Sequence, residues 1–396
     1  MKKNKKETCS ACGTSPVNHN FLFFTQLINQ KLEKVSVFFN PLFFLRKNRM
    51  LTNFLEKILI NISSFFGIIR FSDDIGKVTT WRSKVIWEEA QRRGIKMQQL
   101  VVFGKYVDNY KAKINGKNIF FQSLPIPPWI SQGGYDWVDD KFLLAQKLRD
   151  INLPAPLTKE IKSLKEINFI FNEFKKPIIV KPRFGSRGRH TTTNINTIED
   201  FKKAYLLAKE ISPTIIAQEH LFGSVYRATV VDDVLVGFFR GDAPFVVGNG
   251  EKSIKELIFE KNKNRDEKIS EIIINDELID FIRRQNYTID NILPKGEMLY
   301  LLSKTGRFYG GYTKEMIKEV HPKIHDIFIK ASKFLSVPVA GFDFITEDPT
   351  KDPDTEYSGI IECNSLPFID LHYYPFEGES VNVAKYVWDL WDKKIK

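Results

Sequence analysis

Ile178-Ile-Val-Lys-Pro-Arg-Phe-Gly-Ser-Arg-Gly-Arg-His190 is an apolar run that ends on a lysine and passes straight into a glycine loop. Three consecutive β-branched residues, Ile178, Ile179 and Val180, predict a buried strand. Lys181 at its end, followed by Gly185, Ser186 and Gly188, puts a cation and open backbone N–H groups where phosphate oxygens can sit. The spacing matches neither a Walker A loop nor a dinucleotide fingerprint, and a basic glycine loop on its own is equally compatible with a solvated turn.

Far downstream stands a complementary group: Asp343 within Gly341-Phe-Asp-Phe344, and Glu362 with Asn364 within Ile360-Ile-Glu-Cys-Asn364. Side chains two apart on a strand point to the same side, so Glu362 and Asn364 share a face. Oxygen donors projecting from apolar strands need a partner, and magnesium bridging nucleotide phosphates fits because it takes oxygen ligands and few of them from protein. A salt-bridged strand end is the plainer alternative. Between the two groups lies Gln218-Glu-His-Leu-Phe-Gly223, where an apolar strand leaves through a short polar linker. Backbone groups of Gln218, Glu219 and Leu221 could meet an adenine edge there while apolar side chains flank the ring.

The chain has 396 residues, beyond what one core usually organises, so two or three folded units are expected. Residues 1–72 read as a basic, amphipathic helical segment, 73–138 as a small α/β unit, and 139–396 as an α+β unit whose smaller subdomain spans about 160–220. In the second unit Ser83 can cap a helix that stops near Gly94. Gln99 to Val102 reads as a strand, and Tyr110 to Phe121 as a hairpin turning at Asn115-Gly116. Further strands are expected at 215–218, 228–231, 234–239, 341–345 and 359–363, and helices at 197–210, 251–262, 322–335 and 380–392.

Lysine and arginine total 59 against 48 acidic residues, and much of the +11 excess sits in the terminal lysine clusters. Basic tails explain that better than a nucleic-acid surface, since no nucleic-acid module is present. Three cysteines exclude a disulfide scaffold and suit a reducing, cytoplasmic setting. Cys9 and Cys12 form a lone C-x-x-C with His19 as the one nearby addition, short of the four ligands of a structural zinc, so a zinc knuckle is not the expectation. No run of about eighteen apolar residues occurs, which makes a spanning helix unexpected. The Phe-rich stretch 20–70 is expected to pack on the body of the protein rather than on a membrane surface, and a homo-oligomer is left open.

From about Asp140 to Trp391 the chain resembles the ATP-grasp superfamily, specifically the ATP-grasp domain of cyanophycin synthetases and bifunctional glutathione synthetases. The motifs that carry the resemblance are Val180-Lys181-Pro182, the loop Phe184 to His190, the hinge Gln218 to Gly223, and Arg227 after it. They continue with Arg240 through Gly250, the pair Gly341-Phe-Asp343 and Ile361-Glu362-Cys-Asn364, and the helix start Asp140-Lys141-Phe142. The resemblance implies an ATP-grasp fold, two α+β subdomains gripping ATP, preceded by a small pre-grasp unit. It implies an ATP- and Mg2+-dependent carboxylate–amine ligase, with Mn2+ as a substitute cation, forming an amide or peptide bond through an acylphosphate. Small amino-acid or peptide substrates would be its partners.

On that resemblance Lys141 and Lys181 hold phosphates, Gly185 to Gly188 close over them, and Gln218, Glu219 and Leu221 face the base. Asp343, Glu362 and Asn364 hold the metal, and Arg227 and Arg240 steady the acylphosphate or the substrate carboxylate. Two positions depart from the family pattern: Val225 stands where an acid often meets the ribose, and Gln218 replaces the first hinge acid. These departures motivate a different expectation, a catalytically reduced nucleotide-binding module acting through its basic N-terminal segment.

Overall fold

The computed structural model describes residues 9–12, 17–36, 68–130, 135–185, 188–267 and 269–392. Ser186 and most of the 20–70 stretch lie outside the described residues. Among the described residues, no helix is long and apolar enough to cross a membrane.

A helix, His19–Ser36, precedes the first sheet. That sheet orders Ile69–Ser72, Met97–Val102, Lys105–Ile114 and Lys117–Gln122 side by side, antiparallel throughout. The hairpin turns at Asn115 and Gly116, both at positive φ, the conformation that an Asn-Gly pair tolerates. The accompanying helix is Trp81–Arg92, and its cap is Thr80 rather than Ser83. Ser83 lies inside the first turn and donates its hydroxyl to Asp108 at 2.6 Å, so a second candidate cap three residues upstream takes the role. The C-terminal helix Val383–Asp389 returns to this unit. Val383, Ala384, Val387 and Trp388 share a core with Val85, Ile86, Trp87 and Ala90, and Trp388 Nε1 donates to Ile86 O at 3.0 Å.

The smaller subdomain is a four-stranded antiparallel sheet in the order Thr158–Ile161, Ile215–Glu219, Ile178–Pro182, Thr192–Ile195. The helices Ile167–Glu173 and Ile198–Lys209 cover one face with Ile167, Ile170, Phe201, Ala204 and Tyr205. The sheet's strands run from Thr158 to Glu219 in the chain. The larger sheet runs Thr313–Glu315, Val234–Gly241, Ser224–Val231, Val339–Thr346, Gly359–Asn364, again antiparallel at every pairing.

Alternation divides that larger sheet. Tyr226, Ala228 and Val230 join Phe342 and Phe344 under the helix Pro322–Leu335, where Ile324, Phe328, Ala331 and Leu335 form the main core. On the other face, Val231, Val236 and Val339 enter the core of the first unit. The remaining length of that second face carries the polar residues taken up next. An excursion between Val234–Gly241 and Thr313–Glu315, with helices Ile254–Lys263 and Asp276–Arg283, has its own small core around Ile258, Leu278 and Leu293.

Candidate active site

Residues paired across an antiparallel sheet share a face, so the register reads the site directly. Arg227 pairs with Asp343, and Asp343 with Glu362, placing the three in one row across adjacent strands. Gly341 pairs with Asn364 one step along the same face. Two carboxylates set opposite each other are unfavourable without counter-charge. Arg227 Nε donates to Asp343 Oδ1 at 2.7 Å, and Lys141 Nζ lies 3.7 Å from Glu362 Oε2. Burial nevertheless pushes the Asp343 carboxyl above its usual range, and Glu362 pushes it further, against the pull of Arg227. Arg227 is largely buried, which works against its charge, but Asp343 more than compensates and holds its proton more tightly. Its Nη1 is buried without a hydrogen-bond partner among the described residues. A charged donor left unpaired inside a protein is expensive unless an anion completes it.

Gly341 has a steric role in this row. A Cβ there would lie 2.6 Å from Pro367 Cβ and 3.0 Å from Arg227 Nη1, so only glycine leaves Arg227 its place. Asn364 donates from Nδ2 to Gly341 O at 3.4 Å, which leaves its amide oxygen as the atom for a cation.

Two lysines face this row, Lys181 from the smaller sheet and Lys141 from a helix start. Lys181 sits on a strand whose five residues are all buried. Burial first, and Lys141 second, lower its pKa to about 8, while Glu362 and Asp343 pull the other way. Lys141 opens the helix Lys141–Asp150, capped by Asp140, which accepts from Phe142 N and Leu143 N. Its Nζ donates to Gly185 O at 2.6 Å, so one side chain touches both the glycine loop and Glu362. Gly185 and Gly188 are both at positive φ.

Two groups here were not singled out from the sequence. Arg183, two residues past Lys181, makes a forked pair with Asp140 at 2.6 to 3.0 Å and reaches Glu160 with its other nitrogen at 3.0 Å. It thereby ties the cap of the Lys141 helix to the lysine-bearing strand. Asp139 accepts from Ser365 N and Oγ at 3.3 and 3.1 Å, and burial followed by the charge of Glu362 raises its carboxyl pKa. The adjacency of Asp139 to Lys141, and of Ser365 to Asn364, was the available signal.

The remaining expected residues are not gathered into this cluster. Gln218 spends its amide nitrogen on Thr158 Oγ1 at 2.9 Å, and its buried Oε1 has no partner among the described residues. Glu219 Oε2 accepts from Leu157 N at 3.1 Å, fastening the linker, and Leu221 packs beside Gly359. Arg240 pairs in register with Tyr226, on the opposite face from Arg227, and is held by Asp242 at 2.8 Å. An open cleft of about 760 Å³ is lined by Leu221, Pro156, Arg149 and Lys323 and by none of the lysine–carboxylate set.

In the solved structures, a bifunctional glutathione synthetase from Pasteurella multocida matches 78% of this chain and 44% of its own, with a TM-score of 0.50 at 20% identity. The chain has an ATP-grasp fold. Among curated proteins, its sequence is 32% identical over 253 residues to cyanophycin synthetase from Synechocystis sp., covering 61% of this chain and 29% of that one. It is 26% identical over 262 residues to the glutathione biosynthesis bifunctional protein GshAB of Clostridium perfringens, covering 64% and 34%. The chain thus spans about a third of the length of these relatives. No family model matches it. Of the expected site residues, Lys141, Lys181, Arg227, Asp343 and Glu362 are the ones the fold brings face to face.

Proposed function

We propose that this chain is an ATP-dependent carboxylate–amine ligase that forms an amide or peptide bond through an acylphosphate. The observation that carries the reading is the meeting of Lys141 and Lys181, from one side, with Arg227 and the Asp343–Glu362 pair on the other. Five charged groups at a buried seam between two sheets have no structural need to be there.

The donor set fits a hard divalent cation: carboxylate oxygens from Asp343 and Glu362 and an amide oxygen from Asn364. Held there by Asp343, Glu362 and Asn364, Mg2+ would supply positive charge to offset the charge that builds up during phosphoryl transfer. Lys181, dehydrated and aimed from a rigid strand, would hold a phosphate more strongly than an exposed lysine could. Lys141 would exchange Glu362 and the Gly185 carbonyl for phosphate oxygens, so its release would couple the glycine loop to nucleotide entry. Arg227 would offer its unpaired Nη1 to the acyl phosphate or to the attacking carboxylate. A free amine then attacks the acyl carbon, phosphate leaves, and the loop excludes water that would hydrolyse the intermediate.

The test is ADP release from ATP and Mg2+ on adding pooled amino acids and dipeptides, with hydroxylamine as a trap for the acylphosphate. Glu362→Ala should abolish it. Phosphate release untouched by that change would overturn the site assignment. Nucleotide binding without turnover across all acceptors would favour the reduced module, a reading supported by Val225 and by the engagement of Gln218 with Thr158.

A further inference from the structure

We propose that Cys9, Cys12, His19 and His190 form a structural Zn2+ site that pins the N-terminal segment to the end of the glycine loop. The four ligand atoms lie within 4.8 Å of one another. Cys12 Sγ is 3.2 Å from His19 Nε2 and 3.5 Å from His190 Nε2, and Cys9 Sγ is 3.6 Å from His190 Nε2. With Zn–S near 2.3 Å and Zn–N near 2.05 Å, tetrahedral geometry requires S···N separations of about 3.5 Å, so the site needs little rearrangement to close on the ion. Ordinary thiol–imidazole hydrogen bonds would explain any one of these contacts. They do not explain why four residues with the donor set of a closed zinc site converge on one point.

The surroundings are those of a metal centre. His190 Nδ1 lies 2.7 Å from Leu207 O, which fixes its N–H there and turns the Nε2 lone pair to the sulfurs. His19 Nδ1 lies 3.5 Å from Glu210 Oε2, the carboxylate–histidine arrangement that raises the basicity of a ligand. Cys12 N donates to Cys9 O at 3.1 Å in the short 3-10 turn Ser10–Cys12, which brings both sulfurs to one side. His190 N donates to Ala11 O at 3.1 Å, so the loop end and the C-x-x-C turn are joined by backbone as well. Cys12 and His190 are almost wholly buried, and both cysteines are free thiols.

Metal entry would replace both thiol protons, which leave to solvent, and form two Zn–S and two Zn–N bonds. His190 closes the segment that begins at Phe184, so the ion would brace the glycine loop from its downstream end while Lys141 holds Gly185 upstream.

The test uses the full chain purified in reducing buffer without chelators. Elemental analysis should find about one zinc per chain, and Co2+ exchange should give the visible bands of a tetrahedral site with thiolate charge transfer. Cys12→Ser and His19→Ala should each lose the cobalt signature, His19 being the more exposed position and the gentler change. Wild-type chain with neither zinc nor the cobalt spectrum overturns the proposal, as does full zinc retention in Cys12→Ser, or a Cys9–Cys12 disulfide formed in place of metal. If a variant fails to fold, the wild-type cobalt spectrum decides alone. Failure here would leave the ligase assignment standing, since ADP release reads the other site.

Discussion

Lys181 should make nucleotide affinity fall with pH in a range where most lysines are inert. Its pKa is lowered to about 8, chiefly by burial, so it loses its proton between pH 7 and pH 9. If only the protonated form holds a phosphate, apparent affinity scales with the protonated fraction and weakens about tenfold from pH 7 to pH 9. The terminal phosphate ionises near pH 6 to 7 and would move affinity the opposite way, so it cannot imitate the trend. Calorimetric titration with a non-hydrolysable ATP analogue and Mg2+ reads the effect. Lys181→Met should bind more weakly at neutral pH and with no such slope. A wild-type affinity that is flat over this window, or the same slope in Lys181→Met, would refute the reasoning.

The same group has a stability signature of opposite sense. Its folded pKa lies below the ordinary 10.5, so the unfolded chain binds more protons between about 8 and 10.5, and the fold gains stability as pH rises through that window. Arg183→Met leaves Asp140, whose side chain is 3% exposed, without its forked partner; a loss of about 3 to 5 kcal/mol in urea unfolding is expected, and an unchanged midpoint would count against the Asp140–Arg183 tie. Gly341→Ala should fold yet slow ADP release at least roughly tenfold, because the new methyl displaces Arg227 or Pro367; wild-type turnover would mean that Arg227 is not needed where it stands. His372 is enclosed between Glu315, at 2.6 Å, and Thr229, at 2.7 Å, so His372→Phe takes the partner from Glu315 Oε2, leaving the buried carboxylate with the backbone donors of Phe238 and Ile317 at Oε1, and should lower the melting temperature markedly.

Much of the site was legible because its chemistry is local. A lysine at the end of an apolar strand, and donors alternating along Gly359–Asn364, announce themselves within a few residues. The hairpin at Asn115-Gly116 was equally plain, since turn chemistry is a matter of two residues. What escaped was relational. Arg183 carries no mark separating it from Arg187 or Arg189 in the same loop; only packing shows that Asp140 waits for it. Arg240 looks interchangeable with Arg227 in the chain, and the register alone puts them on opposite faces. The Cys9–Cys12 pair had three ligands in sight, and the fourth, His190, lies far along the sequence, where it read as the tail of a phosphate loop. The short helix Asp276–Arg283 passed unnoticed because eight residues scarcely span two periods.

The helix Val383–Asp389, by locking Trp388 against Ile86, makes the front and back of the chain one folding unit in space though not in order. Recombination among ligases therefore cannot exchange the first sheet as a cassette cut at a single junction. A chimaera that imports a new 68–124 segment must import its matching 383–391 as well, or rebuild the seam between them. Natural replacement of that segment would face the same constraint, favouring divergence by point substitution over wholesale swapping.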